Sequence, residues 1–239
     1  MRRRMHRAAQ VVHIVCASLL TAPGAFAARP MITDDARVVA PKSCQVESWM
    51  RRNPDSTEYW ALPACNPTGN LELTFGGAMT RELGMTHTTD VQVQAKTIFK
   101  TLEPNGWGYG LVVGHLRRPG ESGRSGSENL YGYVPASFSL ANDTVVLHVN
   151  LGTLVPPGQD ARRGNWGVGA EVKLFERLYF IPEVFNQAGG RPLFQTGLRF
   201  WVVPNRVQID ATYGDRVGGE GGVHWFSIGM RLLSPPVFP

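Results

Sequence analysis

Along the last hundred-odd residues, short polar turns alternate with longer Gly-rich loops, and every segment between them alternates apolar and polar side chains. The turns are Glu103-Pro104-Asn105-Gly106, Ala141-Asn142-Asp143, Phe175-Glu176-Arg177 and Pro204-Asn205. The longer loops cover 117–127, 156–164, 187–191 and 214–222. Period-two alternation is the signature of a strand with two different faces. Strict short/long alternation between such strands puts all the long loops at one end of an up-and-down sheet. That is the layout of an all-β, transmembrane antiparallel β-barrel, with short periplasmic turns and longer outer loops.

The pattern predicts about twelve strands: 43–52, 56–65, 69–79, 89–101, 106–116, 128–140, 143–155, 164–174, 177–187, 192–203, 206–214 and 223–233. Each approaches the ~9–11 residues that a tilted membrane-spanning strand needs. Globular strands are nearer five or six residues. One face is apolar almost throughout, as in Leu71/Leu73/Phe75 and Val145/Leu147/Val149/Leu151. The other carries Gln92/Gln94/Lys96, His148/Asn150, Glu171/Lys173 and Gln208/Asp210/Thr212. The aromatics Trp107, Tyr109, Trp166, Tyr213 and Trp225 stand toward strand ends, as in a membrane girdle. Glu47, Arg51 and Glu58 make the first two strands uneven, so ten strands with a separate hairpin are the fallback. A periplasmic sandwich or lipocalin-like barrel is the competing fold.

The first 27 residues read as a Sec signal peptide. Arg2, Arg3, Arg4 and Arg7 form a basic start, residues 8–20 an apolar stretch, and Ala25-Phe26-Ala27 the cleavage motif, with cutting after Ala27. The formal net charge of +5 belongs largely to this leader: without its four arginines, 20 basic face 19 acidic side chains. The basic balance is therefore no evidence for nucleic-acid binding. The rest divides into a periplasmic segment 28–42, the barrel 43–233 and a tail 234–239. Localisation in the outer membrane of a Gram-negative bacterium follows.

Export to an oxidising compartment makes the two remaining cysteines a presumptive pair. Cys44 and Cys65 are equidistant from the Pro54-Asp55 centre of a turn. Folding there opposes Met50 to Tyr59, Trp49 to Trp60 and Cys44 to Cys65, within disulfide reach.

Chemistry is sparse. His87, His115, His148 and His224 have no metal-ligand spacing, and no nucleophile-elbow motif occurs. No catalytic residue, metal or cofactor is assigned. His148 on the polar face with Ser137 or Ser139 opposite is the arrangement an outer-membrane lipid hydrolase would require; ordinary lumen polarity supplies the same residues. Asp34-Asp35, just before the first strand, reads as a solvated tail, with a cation or lumen contact as the alternative.

Parity assigns a lumen charge network. Glu183, Arg199, Asp210 and Arg231 each lie between lipid-facing neighbours and turn inward from four successive strands. A lipid-facing Arg at mid-membrane would cost ~2–4 kcal/mol. The same face holds the lumen aromatics Tyr131, Tyr133, Tyr179, Phe185 and Trp201.

The segment Ala28-Arg29-Pro30-Met31-Ile32-Thr33-Asp34-Asp35-Ala36, followed by Cys44-Gln45-Val46-Glu47, resembles the start of a transporter-like family of outer-membrane proteins labelled "MetA pathway of phenol degradation". Glu58-Tyr59-Trp60, Pro63-Ala64-Cys65-Asn66-Pro67 and Asn70-Leu71-Glu72-Leu73 are similar to its next hairpin. The resemblance implies an outer-membrane barrel and passage of a small aromatic or apolar solute, without fixing which one. The last strand, Trp225 to Leu232, resembles the C-terminal signal read by barrel-assembly machinery, but ends in Leu232-Leu233 with a tail instead of a terminal Phe. The expected partners are outer-membrane lipid, that machinery and a small solute, with no nucleic acid. The expected function is selective passage or binding through a narrow lumen; a lipid-modifying enzyme and a plugged structural barrel are the alternatives.

Overall fold

A computed structural model describes residues 31–119, 127–155, 162–186, 190–219 and 222–238. The proposed leader and its cleavage site lie outside the described residues, as do parts of the four long loops. The strands are β1 (Cys44–Arg52), β2 (Ser56–Cys65), β3 (Leu71–Glu82), β4 (Met85–Lys100), β5 (Trp107–Arg118), β6 (Ser127–Leu140) and β7 (Val145–Val155). They continue as β8 (Arg163–Phe175), β9 (Leu178–Phe180), β10 (Glu183–Asn186), β11 (Leu193–Val203), β12 (Val207–Arg216) and β13 (Trp225–Leu233).

Apart from β9 and β10, which do not pair with each other, consecutive strands pair antiparallel, and β1 pairs with β13, so the sheet closes. β9 and β10 both lie between β8 and β11. They are one stave of a twelve-stave barrel, broken at Ile181-Pro182, where Pro182 lacks the N–H a ladder requires. The carbonyl of Pro182 still accepts from Ala170 N at 2.9 Å, so the break is local.

The sheet is inverted relative to a soluble sandwich. Among the described residues, the buried side chains are mostly polar or charged, including Lys96, His148, Arg199 and Arg231. The exposed face carries Leu73, Phe75, Val93, Leu151, Val168, Leu198, Phe200, Ile209, Phe226 and Ile228. An apolar outer belt around a polar interior is the transmembrane arrangement.

The first hairpin has the register expected of it: Cys44 faces Cys65, Trp49 faces Trp60 and Met50 faces Tyr59. The Cys44–Cys65 disulfide is formed. Both strands belong to the barrel, which rules out the ten-strand fallback. Their apparent unevenness has a simple origin: Glu47, Trp49, Arg51, Glu58, Trp60 and Leu62 all share the inward face, mixing apolar and charged groups there.

Two expectations are corrected. Residues 80–88 are not a loop; β3 and β4 run on to a two-residue turn, Leu83-Gly84, with φ of 48° and 82°. Two successive positive φ values suit a tight hairpin, and Gly84 accepts its share without strain. This extension is polar, so it lacks the apolar period that marks a membrane strand. Trp225 is not a girdle residue: it is 1% exposed and shares the inward face with Ser227 and Arg231.

Candidate functional site

Both chain ends of the barrel lie at the short-turn end, and residues 31–43 do not extend away from it. They enter the bore. Met31, Thr33, Asp35, Ala36 and Val39 are buried, so of the two readings of Asp34-Asp35 the solvated tail is wrong and the lumen contact is right, and residues 31–39 of the stretch read as a periplasmic segment lie inside the barrel. The physical reason is that the wall supplies partners for five of the segment's backbone N–H groups and for both of its aspartates.

Val39 N donates to Glu72 Oε2 at 2.8 Å, near the short-turn end of β3, and Asn66 Nδ2 donates to Val39 O at 2.7 Å. Further along, Ala36 N donates to Ser137 Oγ of β6 at 2.8 Å. Asn150 of β7 pairs with both backbone polar groups of Asp34, accepting from its N–H at 2.7 Å and donating to its carbonyl at 2.8 Å. Ile32 N and Thr33 N both donate to the Glu183 carboxylate of β10. β3 and β10 stand on opposite sides of the ring of staves. The segment therefore straps across the bore while climbing from the short-turn end.

Its side chains are held too. Lys96 Nζ of β4 lies 2.9 Å from Asp34 Oδ1 and 3.3 Å from Asp35 Oδ1, and Tyr133 OH donates to Asp34 Oδ2 at 2.9 Å. Burial pushes the Asp35 carboxyl above its ordinary range, against the pull of Lys96 and Arg37. Two inward glycines of β8 leave room for the strap. A Cβ on Gly167 would stand 2.6 Å from Thr33 Oγ1, and one on Gly169 2.7 Å from Met31 Cε.

The four charges assigned to the lumen by parity are all buried, yet they divide among three settings. Arg199 Nε lies 3.7 Å from Asp210 Oδ2, directly across the β11–β12 ladder, and Arg199 Nη1 lies 2.6 Å from Glu171 Oε1 of β8. Arg231 faces Glu47 across the β1–β13 seam at 3.7 Å and donates to Gln45 Oε1. Glu183 is occupied by the strap and by Gln195 Nε2 at 3.0 Å. Glu47, Glu171, Lys96 and Asn150 were absent from the assigned network. Beside the lumen-contact alternative for Asp34-Asp35, a signal for the strap is Glu183: neither of its neighbours across the ladder, Gly169 and Gln195, is a cation.

Of the five aromatics, Tyr131 and Tyr133 stack at 6.2 Å and 12°, and Tyr131 OH donates to Gln94. Phe185 packs 6.4 Å from Trp225, Trp201 is buried, and Tyr179 is half-buried opposite Arg199. Trp49 and Trp60 add a second stacked pair at 5.2 Å and 6°. Beside the strap is a small recess of about 30 Å³, lined by Gln45, Glu72, Thr74, Gln92, Gln94 and His148 among others.

The serine–histidine arrangement does form. Ser137 Oγ lies 2.8 Å from His148 Nδ1, and His148 Nε2 lies 3.7 Å from Glu171 Oε1. Ser137 is fully buried, and its oxygen accepts the Ala36 N–H. A nucleophile needs access to its substrate; in this structure the hydroxyl is covered by the strap. Among the described residues no group of His, Cys, Asp and Glu is placed to hold a metal ion.

A family model described as Uncharacterised conserved protein UCP029691 matches residues 15–233. Among curated proteins none matches. Solved structures with similar folds include the KdgM porin in complex with disordered oligogalacturonate, at 9% identity and a TM-score of 0.56, covering 80% of this chain and 98% of that one. The NanC porin is similar at 11% identity and a TM-score of 0.52, with the same coverage. At such identities the likeness establishes the fold alone, an outer-membrane barrel; the phenol-degradation label finds no support in these matches.

Proposed function

We propose, for a chain that belongs to this uncharacterised conserved family, that the protein is a narrow outer-membrane channel whose aperture is set by residues 31–39. The observation that carries this reading is the nature of the obstruction. The wall is polar on its inward face, and the bore is narrowed by a tethered strap rather than filled by apolar side chains. A barrel of about eight strands is filled by its own side chains, and one of 16–18 is an open pore; twelve staves leave space that the strap partly takes.

The recess beside the strap offers amides and carboxylates, and stacked aromatic pairs, Tyr131/Tyr133 and Trp49/Trp60, stand elsewhere on the same inward wall. Such a wall suits a small, flat-faced amphipathic solute, aromatic or saccharide. The KdgM structure with oligogalacturonate supports the saccharide side of that pair, and the sequence resemblance the aromatic side. Outer-membrane lipid surrounds the apolar belt, and β13 carries the contact for the assembly machinery.

Liposome swelling with solutes of graded size tests the reading. Wild-type protein should admit the smallest solutes slowly, and Asp34→Asn/Asp35→Asn should admit larger ones faster. Negligible entry in both would leave a sealed structural barrel.

A further inference from the structure

We propose that the inward wall is a peptide-binding site in its own right, that residues 32–39 are its resident ligand, and that it takes acidic peptides of the same pattern. This goes beyond passage of solute and does not depend on it.

The contacts are those of peptide recognition. The backbone N–H groups of Ile32, Thr33, Asp34, Ala36 and Val39 each donate to a wall side chain: Glu183 for the first two, then Asn150, Ser137 and Glu72. Asn150 pairs with both backbone polar groups of one residue, Asp34, and Lys96 receives the two adjacent carboxylates. Among the described residues, 31–39 make no backbone–backbone hydrogen bond to the wall, so the strap is a guest of the barrel and not one of its strands. Fixed polar groups that match a peptide backbone at several successive residues are expensive to bury unless a peptide fills them. Wall and occupant are thus complementary by construction.

The occupant can leave without dismantling the barrel. Ring closure rests on the β1–β13 ladder. The exit point is pinned separately, by Lys42 N to Asn66 O at 2.8 Å, Asn66 N to Ser43 O at 2.9 Å and the Cys44–Cys65 bridge. Between pin and strap lie the exposed Ala40 and Pro41, a short tether. A tether of this kind holds its ligand at an effective concentration on the order of millimolar, so a free peptide competes poorly until the resident one is weakened. The acidic pair gives the ligand its class: Lys96 is buried against both aspartates, with Glu72 opposite it across the β3–β4 ladder.

The test uses the full chain in detergent and a fluorescein-labelled synthetic peptide with the sequence of residues 31–40. Asp34→Asn/Asp35→Asn should bind it saturably and at least tenfold more tightly than wild type. The same peptide with both aspartates changed to asparagine should lose at least tenfold in affinity. A second measurement needs no weakened strap: an Ile32→Cys protein should react with maleimide faster as unlabelled peptide is added. Absence of saturable binding to the double variant, with unchanged maleimide reactivity at millimolar peptide, overturns the proposal. Channel measurements are unaffected by that outcome, so the two readings fail separately.

Discussion

Lys96 Nζ lies 2.9 Å from Asp34 Oδ1, although 62 residues separate them and Asp34 belongs to no strand. Lys96 is buried and Asp34 keeps 14% of its side chain exposed, and the pair ties the strap to the wall at the middle of its course. Removing one partner of a buried pair is costly because the other is left without a counter-charge, typically ~3–5 kcal/mol. Here the strap has an escape, since Asp34 and Asp35 regain water if it undocks. Lys96→Met should therefore release the strap while the barrel stays closed. Heat-modifiable mobility should be retained, and hydrogen exchange at residues 32–36 should rise ~100-fold or more.

Gly167 and Gly169 make the same point sterically. A Cβ at either position falls below 3.0 Å from a strap atom. Thr33 cannot simply shift, because its N–H is held by Glu183 at 2.8 Å. Gly167→Ala should cost ~1–3 kcal/mol of docking, in the range of ordinary overpacking. Exchange should rise at residues 31–33 and remain slow at Val39, which Glu72 holds independently.

Arg199 sits between Glu171 and Asp210 with 1% of its side chain exposed. Arg199→Ala leaves two buried carboxylates facing each other and should destabilise the barrel by ~3–5 kcal/mol. Replacing all three by apolar residues of similar volume should recover most of that loss. Thermal unfolding in detergent, read by loss of β circular dichroism, separates the two variants.

The barrel was legible because its signals are local. Parity along Val207/Ile209/Ala211 sets the lipid face of β12 without reference to any other strand. The equal spacing of Cys44 and Cys65 about Pro54-Asp55 set the register of β1 on β2. Trp225 misled because an aromatic near a strand end fits a girdle as well as a lumen, and only its parity with Arg231 decides. Arg231 was placed inward, yet its partner Glu47 lies across the closure seam, 184 residues away, where no local pattern points. The strap was missed for the same reason. Residues 31–39 have no period of two or 3.6, and their partners come from β3, β4, β6, β7 and β10.

The Cys44–Cys65 bridge closes a loop with a sequence separation of 21. The loop-entropy estimate for that length is ~3 kcal/mol, and barrel closure already supplies part of the constraint. Cys44→Ser/Cys65→Ser should assemble normally and lose stability by less than that figure. Urea titration of the two proteins in the same detergent measures the difference.

Single-channel conductance in planar bilayers addresses the strap's control of the aperture most directly. Wild-type protein should show small, infrequent openings, and Asp34→Asn/Asp35→Asn should show larger or longer ones in the same salt. Equal conductance in the two proteins, whether open or silent, would contradict the claim that residues 31–39 set the width of the path.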